Sequence, residues 1–142
     1  MALIYVQIRK NKMTVRNVDT QREVSGSAAF TTERLLVGNF FEAEKLVREL
    51  SSQVMSRTNQ FLSRPGLLSS LLRILFPGLY CDLLVHALEM NHGGLSQVEE
   101  RVLKEITARF AFVNNGLVVF SSDRTMSDTE AREVFDQRQD ME

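Results

Sequence analysis

The chain has 142 residues, 17 Lys plus Arg against 18 Asp plus Glu, and a formal charge of −1, so an electrostatic case for a nucleic-acid partner is missing. An apolar share of 44% with 25% charged residues is ordinary for one soluble domain, and its length suffices for a hydrophobic core. The single cysteine, Cys81, excludes an internal disulfide or a cysteine-based zinc cluster, and its apolar neighbours predict a buried, inert thiol.

The chain opens on MALIYVQIRK, a brief apolar run that turns basic after it, the reverse of a signal peptide. No apolar run approaches the roughly 20 residues that span a bilayer, so a cytoplasmic protein is expected. Residues 3 to 8 (LIYVQI) and 13 to 18 (MTVRNV) suit strands, and the RKNK between them reads as a hairpin turn. A third extended piece is expected from Glu23 to Phe30, and a short one from Arg34 to Val37.

Asn39 with Glu42 three residues on opens a helix in the manner of a capping box. Phe40, Ala43, Val47, Leu50 and Val54, widened by Leu46, recur at steps of three and four, so the helix should bury one face and reach about residue 60. Arg64-Pro65-Gly66 breaks the chain. Leu67 to Phe76 is its most apolar stretch, closed by Pro77-Gly78, and Leu79 to Leu88 reads as a buried strand.

After a turn at Asn91 to Gly94, Ser96 and Glu99 form a second capping box, with Val98, Val102, Leu103 and Ile106 as the stripe to be buried. Asn114-Asn115-Gly116 should close that helical unit before a strand over Leu117 to Phe120. Ser127 and Glu130 open a last helix through Val134 and Phe135. Three strands followed by helix, strand, helix, strand, helix predict an α/β domain over 1–142: a mixed five-stranded sheet with helices packed on it, the ribonuclease H-like plan.

Residues 79 to 120 then resemble the first domain of the MreB family of bacterial actin-like proteins. There a helix opens Gly-Ile-Thr-x-Val-Glu-x-Arg-Ala-Val, and here the stretch is Gly94-Leu95-Ser96-Gln97-Val98-Glu99-Glu100-Arg101-Val102-Leu103. The family's following Val-Tyr-Leu-Ile strand is matched by Leu117 to Phe120. The resemblance covers most of this chain but only about the first third of an actin-like ATPase. Actin-like ATPases also turn from their first strand into Asp-x-Gly-Thr, which holds phosphate and Mg²⁺. This chain has Arg9-Lys10-Asn11-Lys12 there, and Asp-x-Gly occurs nowhere in it. The resemblance therefore implies the scaffold without the ATP chemistry: no enzyme, no cofactor, and function through a protein partner, either an actin-like filament or a second copy.

Other chemistry is less complete. A metal-dependent ribonuclease H-like enzyme needs carboxylates on the first strand, first helix and fourth strand. Glu42, Glu44, Glu49 and Asp82 are available, but the first strand offers none, so solvated helix charges are the expectation. His86 and His92 lack a metal-ligand spacing; the first reads as a hydrogen-bonded strand residue, the second as part of a turn. Arg9, Lys10 and Lys12 make a small basic patch that reads as a solvated hairpin.

Residues 67 to 76 carry two competing readings. Leu67, Leu68, Leu71, Leu72, Leu75 and Phe76 fall on one helical face with Arg64 and Arg73 nearby, as an interfacial membrane helix requires. In MreB-like proteins an apolar loop at this place dips into the membrane, which would make the chain a membrane-associated adaptor. The alternative is that the leucines cover a face of the sheet.

Overall fold

The computed structural model describes residues 2–54, 81–107 and 114–141. In chain order the elements are β1 (Ala2–Arg9), β2 (Lys12–Asn17), β3 (Arg22–Ser27), α1 (Phe40–Val54), β4 (Cys81–Ala87), α2 (Gln97–Thr107), β5 (Asn114–Ser121) and α3 (Asp128–Met141). The strands form one mixed sheet in the order β3-β2-β1-β4-β5.

The two most apolar strands stand in the middle because a central strand is covered on both faces. β1 pairs antiparallel with β2, Val6 opposite Val15, and parallel with β4, Val6 opposite Val85. All seven residues of β4 are buried. β2 and β3 complete the meander, Val15 opposite Val24, while β5 pairs parallel to β4 with an irregularity between Cys81 and Asp82.

Alternation along the strands sorts the core into two layers. Ile4, Val6, Ile8, Met13, Val15, Leu83 and Val85 face α1 and α2, which contribute Ala43, Leu46, Val47, Leu50, Leu103 and Ile106. Leu3, Tyr5, Leu84 and Val118 face the other way, onto Ala131 and Phe135 of α3. α1 lies so close to β3 that a Cβ on Gly26 would stand 2.9 Å from Leu46 Cδ1, which accounts for a glycine in mid-strand. Bidentate bonds from Arg16 to Asp128 (2.8 and 2.9 Å) and an Arg132–Asp19 pair (2.8 Å) tie the first half of α3 to the meander.

The helix starts follow local chemistry. Ser96 and Glu99 exchange both capping bonds, Glu99 N–H to Ser96 Oγ at 3.2 Å and Ser96 N–H to Glu99 Oε2 at 2.8 Å. Ser127 Oγ accepts from Glu130 N–H at 3.2 Å in the same way. At α1 the Glu42 N–H reaches Asn39 Oδ1 only at 3.5 Å.

Four expectations need correction. β3 ends at Ser27, after which Ala28 N–H bonds back to Asn11 O. Arg34 to Val37 is a folded-back loop, not a strand: Thr32 N–H bonds Leu35 O, while Gly38 and Asn39 both bond Phe30 O. Asn114, Asn115 and Gly116 belong to β5. Val98 is 72% exposed, because only the Leu103–Ile106 side of its helix meets the sheet. The expected extension of the first helix to residue 60 and the whole of Leu67, Leu68, Leu71, Leu72, Leu75 and Phe76 lie outside the described residues.

Candidate functional site

Open α/β sheets bind ligands beyond the carboxyl ends of their parallel strands. In this sheet that edge is formed by Arg9 of β1, Leu88 and Glu89 after β4, and Ser121 and Ser122 at the end of β5. The β1–β2 connection there is a tight hairpin, with Arg9 opposite Lys12 and Asn11 in the left-handed region at φ 55°. Asparagine tolerates that conformation at modest cost.

The backbone N–H groups of this hairpin are already committed. Lys10 N–H donates to Glu89 Oε2 at 2.8 Å, and Asn11 N–H donates to Thr31 Oγ1 at 2.9 Å. Asn11 Oδ1 in turn accepts Thr31 N–H at 2.9 Å, and Thr31 Oγ1 donates to Leu36 O at 2.7 Å. An internal carboxylate and a hydroxyl thus occupy the donors that a phosphate would need.

Beneath the same edge, on the α3 side, lies a buried polar relay. His86 is fully buried, with Nδ1 2.5 Å from Tyr5 Oη and Nε2 2.7 Å from Ser122 Oγ. Ser122 Oγ–H donates to Arg124 O at 2.9 Å, so the serine can only accept from the imidazole, which places the ring proton on Nε2. Nδ1 is then an acceptor for Tyr5 Oη–H, and Tyr5 Oη accepts Met126 N–H at 3.2 Å. Every member is satisfied, with a neutral ring. Burial, then the charge of Arg9, pushes the His86 pKa down to about 4, and burial raises that of Tyr5.

Asn91 Nδ2 donates to Ala87 O and Ser122 O, both at 2.8 Å, and joins the ends of β4 and β5. A cleft of about 630 Å³ opens beside this relay, lined by Phe120, Ser122, Arg124 and Met126 with Glu130 and Val134 of α3. Ser122 faces it with its hydroxyl proton spent on a carbonyl, an arrangement that orders the 122–126 loop and does not prime a nucleophile.

The acids considered for metal binding are kept apart. Glu42 and Glu49 are exposed on α1, and Glu44 pairs with Arg48 at 2.8 Å. Asp82 sits at the start of β4 on the α3 side, 3.5 Å from where a Cβ on Gly116 would stand, so the sheet separates it from all three. Among the described residues no cluster of three His, Cys, Asp or Glu could hold a metal ion. His92 is exposed in its turn, and the buried Cys81 thiol is pushed up to about 12, chiefly by burial. The Tyr5–His86–Ser122 relay was not legible in the sequence, because its partners are 81 and 36 residues apart.

One relative settles the family. The protein described as uncharacterized protein YjaA of Escherichia coli (strain K12) is 46% identical over 110 residues, 76% of this chain and 76% of that one. The chain belongs to the YjaA family. No family model matches it. Kinship with YjaA establishes common descent and carries no activity over to this chain. Among the described residues, no helix is long and apolar enough to cross a membrane.

Proposed function

We propose that this YjaA-family chain is a non-catalytic domain of ribonuclease H-like, actin-like descent. It acts in the cytoplasm through protein contacts, with an MreB-type filament as the partner in cell-shape control. The strand order β3-β2-β1-β4-β5, with an antiparallel meander joined to two parallel strands, supports the fold reading.

The observation that carries the functional reading is the closed hairpin. Where an actin-like ATPase turns from its first strand into a phosphate loop, Lys10 N–H is bonded to the Glu89 carboxylate and Asn11 N–H to the Thr31 hydroxyl. A phosphate entering there would meet a negative charge and find its donors taken, an electrostatic and desolvation penalty together. What such a scaffold retains is surface.

Two measurements test this. Millimolar Mg-ATP should leave the melting temperature unchanged, since only a ligand that binds the folded state raises it. Purified chain should co-sediment with polymerised MreB filaments and stay in solution without them. A rise of several degrees with Mg-ATP, or a chain left wholly in the supernatant at saturating filament, would overturn the corresponding half of the proposal.

A further inference from the structure

The two edges of the sheet are finished differently. β3 ends the sheet on one side with Arg22 and Glu23 at its start and is largely exposed, the charged finish that discourages further pairing. β5 ends it on the other side with the sequence NNGLVVFS, which has no charge and no proline. Its single irregularity, opposite Cys81/Asp82, lies at the very start, so Gly116 to Ser121 runs as regular strand. Among the described residues no strand pairs with its outer edge, and every second residue there turns its N–H and C=O outward.

A groove of about 490 Å³ follows this edge. Its floor includes the consecutive residues Val118, Val119 and Phe120, which point to alternate faces and can share one groove only along the strand's rim. Glu100 and Lys104 of α2 wall one side, and Val134 and Arg138 of α3 wall the other. The groove is therefore a slot with a strand edge at its base and a helix on each flank, the form that accepts an added strand.

The geometry points to a second copy of this chain as the occupant, with β5 pairing antiparallel to β5 across a two-fold axis normal to the sheet. That axis makes one continuous ten-stranded sheet, twice the five strands of one copy, and keeps like faces on the same side. It also lays α2 antiparallel to α2 of the other copy. Glu100 and Lys104, one helical turn apart and opposite in charge, then each meet the other's counterpart, so the wall is complementary to itself. The α3 flank carries a single charge, Arg138, whose guanidinium stacks over the Phe120 ring at 4.9 Å from its centroid, so the charge complementarity of the pairing rests on the α2 wall. This inference deepens the protein-contact reading above by naming one partner; filament binding through another surface stands or falls separately, by co-sedimentation.

Sedimentation velocity of the full chain across a wide concentration range tests it, with hydrogen exchange of the β5 amides at both ends of the range. A monomer–dimer equilibrium is expected, with β5 amides gaining protection as dimer forms. Lys104→Glu places like charges opposite each other and should weaken the dimer by about tenfold or more. Glu100→Lys should do the same, while the double exchange, or a mixture of the two single variants, should restore association. Circular dichroism checks that each variant is folded. Should a single variant fail to fold, the exchange data on the unaltered chain and the double exchange decide. A monomer at every concentration, or a dimer whose β5 amides stay unprotected and which ignores the charge exchange, overturns the proposal.

Discussion

Acid should destabilise this protein between about pH 6.5 and 4 through one buried side chain. His86 is fully buried and neutral, accepting at Nδ1 from Tyr5 and donating at Nε2 to Ser122. Its pKa falls from 6.5 to about 4, mainly through burial and secondly through Arg9. The unfolded chain therefore takes up a proton near pH 6.5 that the folded chain refuses until about pH 4. Stability from this residue is complete above 6.5, declines as the pH falls between those limits, and is exhausted below the lower one. At about 1.4 kcal/mol per pH unit, the gap corresponds to ~3 kcal/mol, a large share of the stability of a domain this size. The loss has a geometric cause. A proton on Nδ1 would face the Tyr5 hydroxyl proton, and Tyr5 could not turn its donor elsewhere without leaving it unpaired in the core. Urea unfolding followed by circular dichroism at pH 7.0, 5.5 and 4.5 measures the slope. The same series on His86→Gln, which keeps hydrogen-bonding capacity without a titration in this range, isolates the residue. A wild-type slope no steeper than that of the Gln variant would refute the reasoning. Asp128 gives a separate window: Arg16 holds its carboxyl below the ordinary value of 3.8, so its contribution is present above that value and lost at still lower pH.

Tyr5→Phe should cost about 2 to 4 kcal/mol, because it strands both His86 Nδ1 and Met126 N–H inside the fold; denaturant midpoints at constant m-value check this. Phe135→Ala should cost about 3 to 5 kcal/mol, since the ring is fully buried against Leu3, Tyr5, Leu84 and Val118, and an intact domain with an unchanged melting temperature would contradict the α3 packing. Arg16→Ala should cost about 1 kcal/mol at neutral pH, and the cost should shrink as the pH falls below 3.8 and Asp128 takes up its proton; equal losses at neutral and acid pH would show that the bidentate pair is not the cause. Glu89→Ala should speed hydrogen exchange at Lys10 without creating affinity for ATP, because the Thr31 bond and the missing acid remain.

The features legible in the sequence were those set within a few residues of themselves. Ser96 with Glu99 and Ser127 with Glu130 announced two helix starts, since capping bonds close over three positions whatever the surroundings. The near-continuous apolar character of LIYVQI and of the stretch around Leu84 marked the two central strands, because only strands covered on both faces can be apolar on both. The exposed Val98 shows where such reasoning stops: periodicity defines an apolar stripe, but the sheet decides how much of it is covered. Likewise NNG looks like a turn until pairing with β4 extends it, as parallel register is a property of two strands far apart in the chain. The candidate site belongs entirely to that second kind. Nothing local connects Lys10 to Glu89, or Tyr5 to His86 and Ser122, and a strand edge that no described residue pairs with exists only once the sheet has an order. Local chemistry chose the elements of this protein, while long-range pairing chose which donors are spent and which strands stand at the rims of the sheet.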